Sequence, residues 1–348
     1  MVTKLTEEQW QQVRKLGQQG MRGKAIVDIL SLNLHPANVN KFLQKEGIGQ
    51  IGEPGELTVA EARRQQIEEL WYGYQNALPI TIKKELDGTR VVVLSDAQIP
   101  FEERWLIGGA TNKNGAIERF LYDFDPDYLI INGDWADVYS ASRYDKRPGR
   151  RFNLKDELKA VRSSLAGLTN AAPHATRIFL EGNHEDRLMK TMIQVAQKDI
   201  RALELFGASN LDGLTAKNLL ALDDTGWKWQ PYCGFVNFLG FIITHGDIVG
   251  QESAETARKM FQKWHSSGCS GHTHRLGSYY STEATGKSHV WHETGCLCRL
   301  DLEYVRGPNW QQGFLIGTVS DNLLHTQLVP IFNNRFVIPN VGVYRVRE

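Results

Sequence analysis

Residues 176–187 read TRIFLEGNHEDR. A short apolar run, Arg177 to Leu180, gives way at once to Gly182, Asn183, His184 and Glu185. Strands buried on both faces read as continuous apolar runs, and open α/β sheets place their chemistry at the carboxyl ends of such strands. The same order recurs on either side. VVVL at 91–94 leads into Ser95, Asp96, Ala97 and Gln98, and YLII at 128–131 into Gly133, Asp134, Trp135, Ala136 and Asp137. Downstream, FII at 241–243 precedes Thr244, His245, Gly246 and Asp247, and GCS at 268–270 precedes Gly271, His272, Thr273 and His274. Between the early runs, Leu154, Leu158, Val161 and Leu165 keep helical spacing over 154–168. Strand, helix, strand alternation predicts an α/β core.

Each polar stretch is weak alone. An aspartate after a strand is often a helix cap, and a buried histidine is often a satisfied core residue. Five in order, each ending an apolar run, combine carboxylate, imidazole and amide oxygen, a donor set that suits Mn, Fe, Zn or similar ions.

At these residues the chain resembles the calcineurin-like metallophosphoesterases, whose pattern is D-x-H, G-D-x-x-D, G-N-H-[E/D], a lone His, then G-H-x-H. The likeness spans roughly residues 90–300. Its local look at SDAQIPF, GNHEDR and GHTHRLG is similar to bacteriophage and prophage members. The resemblance implies a metallophosphoesterase-type β-sandwich flanked by helices, an α/β fold. It also implies two divalent cations, with Mn the first choice and Fe, Zn, Ni or Mg the alternatives. Asp96 and His274 would hold the first cation, Asp134 would bridge both, and Asn183, His245 and His272 would hold the second. His184 would protonate the leaving group as general acid. Asp137 and Glu185 would orient the ligands or His184. A hydroxide bridging the cations would attack phosphorus in line.

Gln98 departs from the pattern, because the family usually has His there. Its amide oxygen is a neutral and weaker donor than imidazole. Gln98 either coordinates through oxygen, or holds a water beside the cation, or marks a weakened first site. A working two-metal site with altered metal preference is the favoured reading.

Composition bounds the function. The chain has 348 residues and 41% hydrophobic residues, enough for a large core. Lys and Arg number 40, as do Asp and Glu, so no global pull toward nucleic acid is expected. No apolar run approaches the roughly 20 residues that span a bilayer. A cytoplasmic protein is expected, in the host cytoplasm if phage-encoded. The four cysteines, Cys233, Cys269, Cys296 and Cys298, form no C-x-x-C framework and read as reduced thiols. Cys296 and Cys298 alternate along an apparent strand and would pack on one face.

Residues 1–50 read as a small all-α domain similar to a helix-turn-helix module. Thr6 is its expected first N-cap, with Trp10, Val13 and Leu16 as the apolar face and Gly17 and Gly20 as the stop. A second helix is expected over about Lys24–Leu32, with Ala25, Ile26, Ile29 and Leu30 on one face. A third carries Val39, Phe42 and Leu43 before Gly47. The segment holds seven cations against four anions. Residues 51–88 read as linker and helix, and 89–348 as the metallophosphoesterase domain.

Arg143, Arg147, Arg187 and Arg275 flank the motifs and are the substrate-binding candidates, with Lys146, Arg150 and Arg151 beside them. Trp135 either stacks a base or packs behind the site. The leading function is phosphoester hydrolysis on nucleic acid or nucleotides, with possible DNA contact through the N-terminal helices. Small phosphoesters or phosphoproteins are an alternative substrate class. A non-enzymatic DNA- or protein-binding module with a structural metallo-domain is the other alternative.

Overall fold

The computed structural model describes residues 5–19, 21, 23–32, 34–46, 48, 77–102, 105–108, 115–142, 153–198, 215–301 and 307–345. The chain divides into two compact units, Met1–Gly73 and Tyr74–Glu348.

The first unit has three described helices, α1 (Glu7–Gln18), α2 (Gly23–Ile29) and α3 (Pro36–Lys45). Thr6 caps α1 as expected. Its hydroxyl accepts from the Gln9 amide, and the Gln9 side chain accepts from the Thr6 amide. Gly17 does not end the helix. It lies one residue inside it, and a Cβ there would come within 2.3 Å of a Leu43 methyl carbon. The glycine thus serves helix packing. Val13, Leu16, Ile26, Val39 and Leu43 form the buried core of this unit, and Trp10 stacks on Phe42 at 4.1 Å. Helix α2 closes at Ile29, short of the expected Leu32, because Ser31 turns into the left-handed region. Gly20, Gly47 and residues 51–76 of the expected linker and helix lie outside the described residues.

The second unit is a sandwich of two six-stranded mixed sheets. The first sheet contains β2 (Arg90–Leu94), β3 (Tyr128–Asn132), β4 (Thr176–Leu180) and β5 (Trp227–Gln230), all parallel. Two antiparallel strands, β11 (Gly313–Ser320) and β12 (Leu323–Pro330), extend it beyond β2. The second sheet runs in the order β1 (Ile80–Ile82), β6 (Val236–Phe238), β7 (Phe241–Ile243), β8 (Gly268–Ser270), β10 (Ser288–Thr294) and β9 (Leu276–Thr282). Residues 80–82, read as linker in the sequence, pair in parallel with β6. Helix α4 (Ala116–Phe124) connects β2 to β3, and α5 (Leu154–Ala171) connects β3 to β4. Helix α6 (Asn183–Lys198) follows β4, and α7 (Ala216–Leu219) is a single turn before β5. Helix α8 (Glu255–Trp264) precedes β8, and a hairpin of β13 (Arg335–Ile338) and β14 (Gly342–Arg345) closes the chain.

Strand alternation divides the core into layers. Val91, Val93, Ile130, Ile178 and Leu180 of the first sheet meet Val236, Phe238, Ile243 and Cys269 of the second. Val92, Leu94, Leu129, Ile131 and Phe179 face the opposite way, toward Phe120 and Leu121 of α4 and Val161 and Leu165 of α5. On the outer face of the second sheet, Ile242 and Trp291 pack against Ala257 and Met260 of α8. This is the expected α/β sandwich flanked by helices. Among the described residues no helix is long and apolar enough to cross a membrane.

Candidate metal centre

The five motifs converge because the carboxyl ends of five strands converge. Strands β2, β3 and β4 are neighbours in one sheet, and β7 and β8 are neighbours in the other. The chain leaves each strand by a sharp turn that puts polar side chains over the end of the sandwich. Asp96, Gln98, Asp134, His272 and His274 all have φ between 48° and 69°. That left-handed region is uncommon for residues with a Cβ, and Asp and His are among the few that enter it at moderate cost. Two glycines make the approach of the carboxylates possible. A Cβ on Gly182 would sit 2.1 Å from Asp134 Oδ1, and one on Gly271 would sit 2.4 Å from Asp96 Oδ2. The glycines of G-N-H and G-H-x-H therefore make room for the carboxylates of Asp134 and Asp96.

Asp134, His245 and His272 place their donor atoms within 4.8 Å of one another. Asn183, the first residue of α6, adds its Oδ1 at 3.1 Å from His245 Nε2. The Asn132 carbonyl oxygen lies 2.8 Å from His245 Nδ1. A neutral His245 donates there and presents the bare Nε2 to two oxygens, Asn183 Oδ1 and Asp134 Oδ1 at 3.4 Å. These buried atoms need a positive charge between them, which a proton on Nε2 supplies in metal-free protein and a bound cation would replace. His272 Nδ1 is buried and has no hydrogen-bond partner among the described residues. These atoms fit a divalent cation by donor type and burial, and by the unpartnered Nδ1 of His272.

The other half holds Asp96, Gln98 and His274. His274 Nε2 lies 3.2 Å from Asp96 Oδ1 and 3.1 Å from the Gln98 side-chain amide. The carboxylate of Asp96 also accepts from the His272 amide, at 3.1 Å for each oxygen. Gln98 is therefore in the site, within reach of the same imidazole nitrogen that faces Asp96. Its amide carbonyl and amide nitrogen can exchange places by rotation, so coordination through oxygen needs only that rotation.

Electrostatics tie the halves together. Burial pushes the Asp134 carboxyl up, but His184 and His245 outweigh it and hold the group well below the usual carboxylate range. Burial alone would lower His245; the Asp134 charge and hydrogen bond instead push it up to about 10. His274 behaves alike, with burial opposed by Asp96, and reaches about 8. His272 falls to about 4, through burial first and then the charge of His245.

His184, at the start of α6, sits beside the ligands. Its Nδ1 meets the Asp137 carbonyl at 2.8 Å and Asp137 Oδ1 at 3.1 Å, while its Nε2 faces Asp134 Oδ2 at 3.6 Å. Burial lowers its proton affinity, yet Asp134 and Asp137 raise the net value. Glu185 has a different task. It accepts from the amides of Gly182 at 2.9 Å, Asp134 at 3.1 Å and Ala136 at 2.8 Å. Burial and the nearby Asp134 charge raise it to about 7. The structure thus brings Asp137 against His184 and Glu185 against the loops that carry Asp134 and Asn183.

The arginine candidates divide. Arg143 and Arg147, with Lys146, Arg150 and Arg151, lie outside the described residues. Arg187 lies near enough to His184 for its charge to lower that group's proton affinity. Arg275 donates Nε to the Asn309 carbonyl at 3.2 Å and Nη1 to the Gly250 carbonyl at 2.5 Å, so it clasps two loops. Trp135 is fully buried and donates to Ser164 on α5 at 2.9 Å, which leaves no face for a base. Cys296 and Cys298 belong to no strand; both form isolated bridges. Both are fully buried beside Phe101.

Sequence reading missed three supports. Asn132 orients His245. Glu293, fully buried, accepts from the Thr273 hydroxyl at 2.8 Å inside the G-H-x-H turn. Cys298 Sγ lies 3.7 Å from His274 Nδ1. Only Asn132, adjacent to the G-D motif, carried a local signal.

No protein-family model matches the chain. Two curated bacteriophage proteins do. The chain is 30% identical over 261 residues to the Gene 54 protein of Mycobacterium phage D29, covering 72% of this chain and 96% of that protein. It is 30% identical over 263 residues to the Gene 54 protein of Mycobacterium phage L5, with the same two shares. The chain belongs to the family of these phage Gene 54 proteins. Among solved structures it is similar to Vps29 from Chaetomium thermophilum, with 11% identity, 74% of this chain and 96% of that chain covered, and a TM-score of 0.34. Vacuolar Protein Sorting 29 from Cryptosporidium parvum gives 13% identity, 70% and 98% coverage, and a TM-score of 0.31.

Proposed function

We propose that the chain is a metal-dependent phosphoesterase acting on nucleic acid or nucleotides. The observation that carries this reading is a buried convergence of atoms that can ligate a cation: Asp134 Oδ1, Asn183 Oδ1 and Nε2 of His245, beside His272 Nδ1, which has no hydrogen-bond partner among the described residues. Divalent cations held there, with manganese the first choice, would lower the pKa of a bound water and neutralise charge on the phosphoryl oxygens. Asp134, Asn183, His245 and His272 would hold one cation, and Asp96, Asp134, His274 and Gln98 the other. His184 donates from Nδ1 to the Asp137 carbonyl, and Asp134 and Asp137 favour its charged form, in which Nε2 also carries a proton. That proton would serve the leaving oxygen. Glu185 fixes the loops of Asp134 and Asn183 by its three amide contacts.

The nucleic-acid part of the reading draws on the first unit. Arg14 is spent within it, paired with Glu7 at 3.0 Å and Glu46 at 3.1 Å. Lys15, Lys24, Lys41 and Lys45 remain exposed. Two of them, Lys41 and Lys45, lie on α3, the helix that would meet DNA in a helix-turn-helix module.

Hydrolysis of bis-p-nitrophenyl phosphate with Mn²⁺, abolished by EDTA and restored by fresh cation, tests the enzyme reading. No turnover with any divalent cation would favour a binding module with a structural centre, for which Gln98 is the supporting observation. Loss of single- and double-stranded DNA affinity in Lys41→Glu/Lys45→Glu, with nitrophenyl turnover unchanged, tests the nucleic-acid part. Unchanged affinity removes it.

A further inference from the structure

We infer that Cys298 is a positioning residue for the first cation, holding His274 in the tautomer that leaves Nε2 bare. This rests on the two-cation reading. His274 Nε2 faces Asp96 and Gln98, so a cation bound at Nε2 would leave the proton of a neutral ring at Nδ1. An N–H buried in that position needs an acceptor. Among the described residues the atom within hydrogen-bond reach of Nδ1 is Cys298 Sγ, at 3.7 Å. Sulfur is a weak acceptor, and 3.7 Å suits its larger radius.

The same short loop grips the other ligand of that half. The amides of Leu297 and Cys298 both donate to the Asp96 carbonyl, at 3.1 and 3.0 Å. The Cys298 carbonyl in turn accepts from the Gln312 side chain at 2.9 Å, which anchors the loop to the residue before β11. Asp96 and His274 lie far apart in sequence, and Cys298 touches both. Its backbone fixes the Asp96 turn and its side chain fixes the His274 ring. The second half uses a stronger acceptor for the same purpose, the Asn132 carbonyl at 2.8 Å from His245. A softer acceptor behind His274 and an amide at Gln98 mark the first half as the looser one.

Equilibrium Co²⁺ titration of the full chain, followed by its visible spectrum and by calorimetry, tests the role. Wild type should bind two cations. Cys298→Ala should keep one unchanged and weaken the other roughly 10–100-fold, the usual cost of losing a ligand's outer partner. Cys298→Ser, which keeps an acceptor, should lie within a few-fold of wild type. Cys296 Sγ clusters with Cys298 Sγ and a His274 nitrogen, all within 4.8 Å, so Cys296→Ala reads the packing contribution and should weaken the first cation less than Cys298→Ala does. Wild-type binding in Cys298→Ala would overturn the inference. So would equal losses in the Ala and Ser variants, which would mean packing rather than hydrogen bonding. A sulfur-to-cobalt charge-transfer band in wild type would make the thiol a ligand and overturn it as well. A wild type that binds no cation removes the proposed function itself, and the role of Cys298 with it.

Discussion

The two halves of the centre are built from the same kinds of turn but are held differently. In the half formed by Asp134, Asn183, His245 and His272, the candidate ligands rest on oxygen. Glu185 takes three backbone amides, and a carbonyl orients His245. In the half formed by Asp96, Gln98 and His274, the imidazole rests on sulfur and the fourth position is a neutral amide. The difference teaches that a single sequence departure, Gln98, does not stand alone. The imidazole beside it also has the weaker orienting partner. Unequal cation affinity is the expected consequence if both halves bind cations as proposed.

The largest expected effect comes from the residue both halves share. Asp134→Ala should lose both cations and lower turnover by on the order of 10³, read by metal content and nitrophenyl hydrolysis. Retention of one cation would show that the halves are independent. Next, His184→Ala should keep both cations and lose about 10²–10⁴ in rate on esters with poor leaving groups, with a smaller loss on nitrophenyl esters. Equal losses on both substrates would remove the proton-donor role.

The pH dependence comes third. In metal-free protein His245 holds its proton up to about pH 10 and His274 up to about pH 8. Both lie above the unfolded value of about 6.5. Their contribution to stability is therefore complete below pH 6.5 and is lost as pH rises through 8 and then 10. Cation binding displaces the same protons, so affinity should climb over that window while metal-free thermal stability falls. Calorimetry in buffers of different ionisation enthalpy should show proton uptake by buffer on binding at pH 7. No proton release would contradict the assigned ligands. A smaller effect is expected from Glu185→Gln. It replaces one accepting oxygen with a donor against backbone amides and should cost about 1–3 kcal/mol in thermal or denaturant unfolding.

Much of this centre was legible because ligand type and strand end are both local signals. Short runs of three or four residues, mostly apolar, announced the strands, and the polar residues after them announced the site. The expected ligands Asp96, Gln98, Asp134, Asn183, His245, His272 and His274 do converge. What stayed hidden is nonlocal. Nothing in the cysteine spacing says that Cys298 meets His274, because that contact depends on the order of strands across both sheets. Arg275 read as a phosphate contact by adjacency, yet its fork is spent on two backbone carbonyls. Trp135 read as a possible stacking surface, yet the turn after β3 drives it into the helix layer. Ile80–Ile82 was absorbed into a linker because three residues carry too little periodicity to announce an edge strand.

The inequality of the two halves is tested most directly by counting free Mn²⁺ by electron paramagnetic resonance during titration of wild type and Gln98→His. The structure predicts two Mn²⁺ per chain with unequal affinities in wild type. It predicts that Gln98→His tightens only the weaker one and narrows the gap. Two equal affinities in wild type, or a Gln98→His protein indistinguishable from it, would contradict the account.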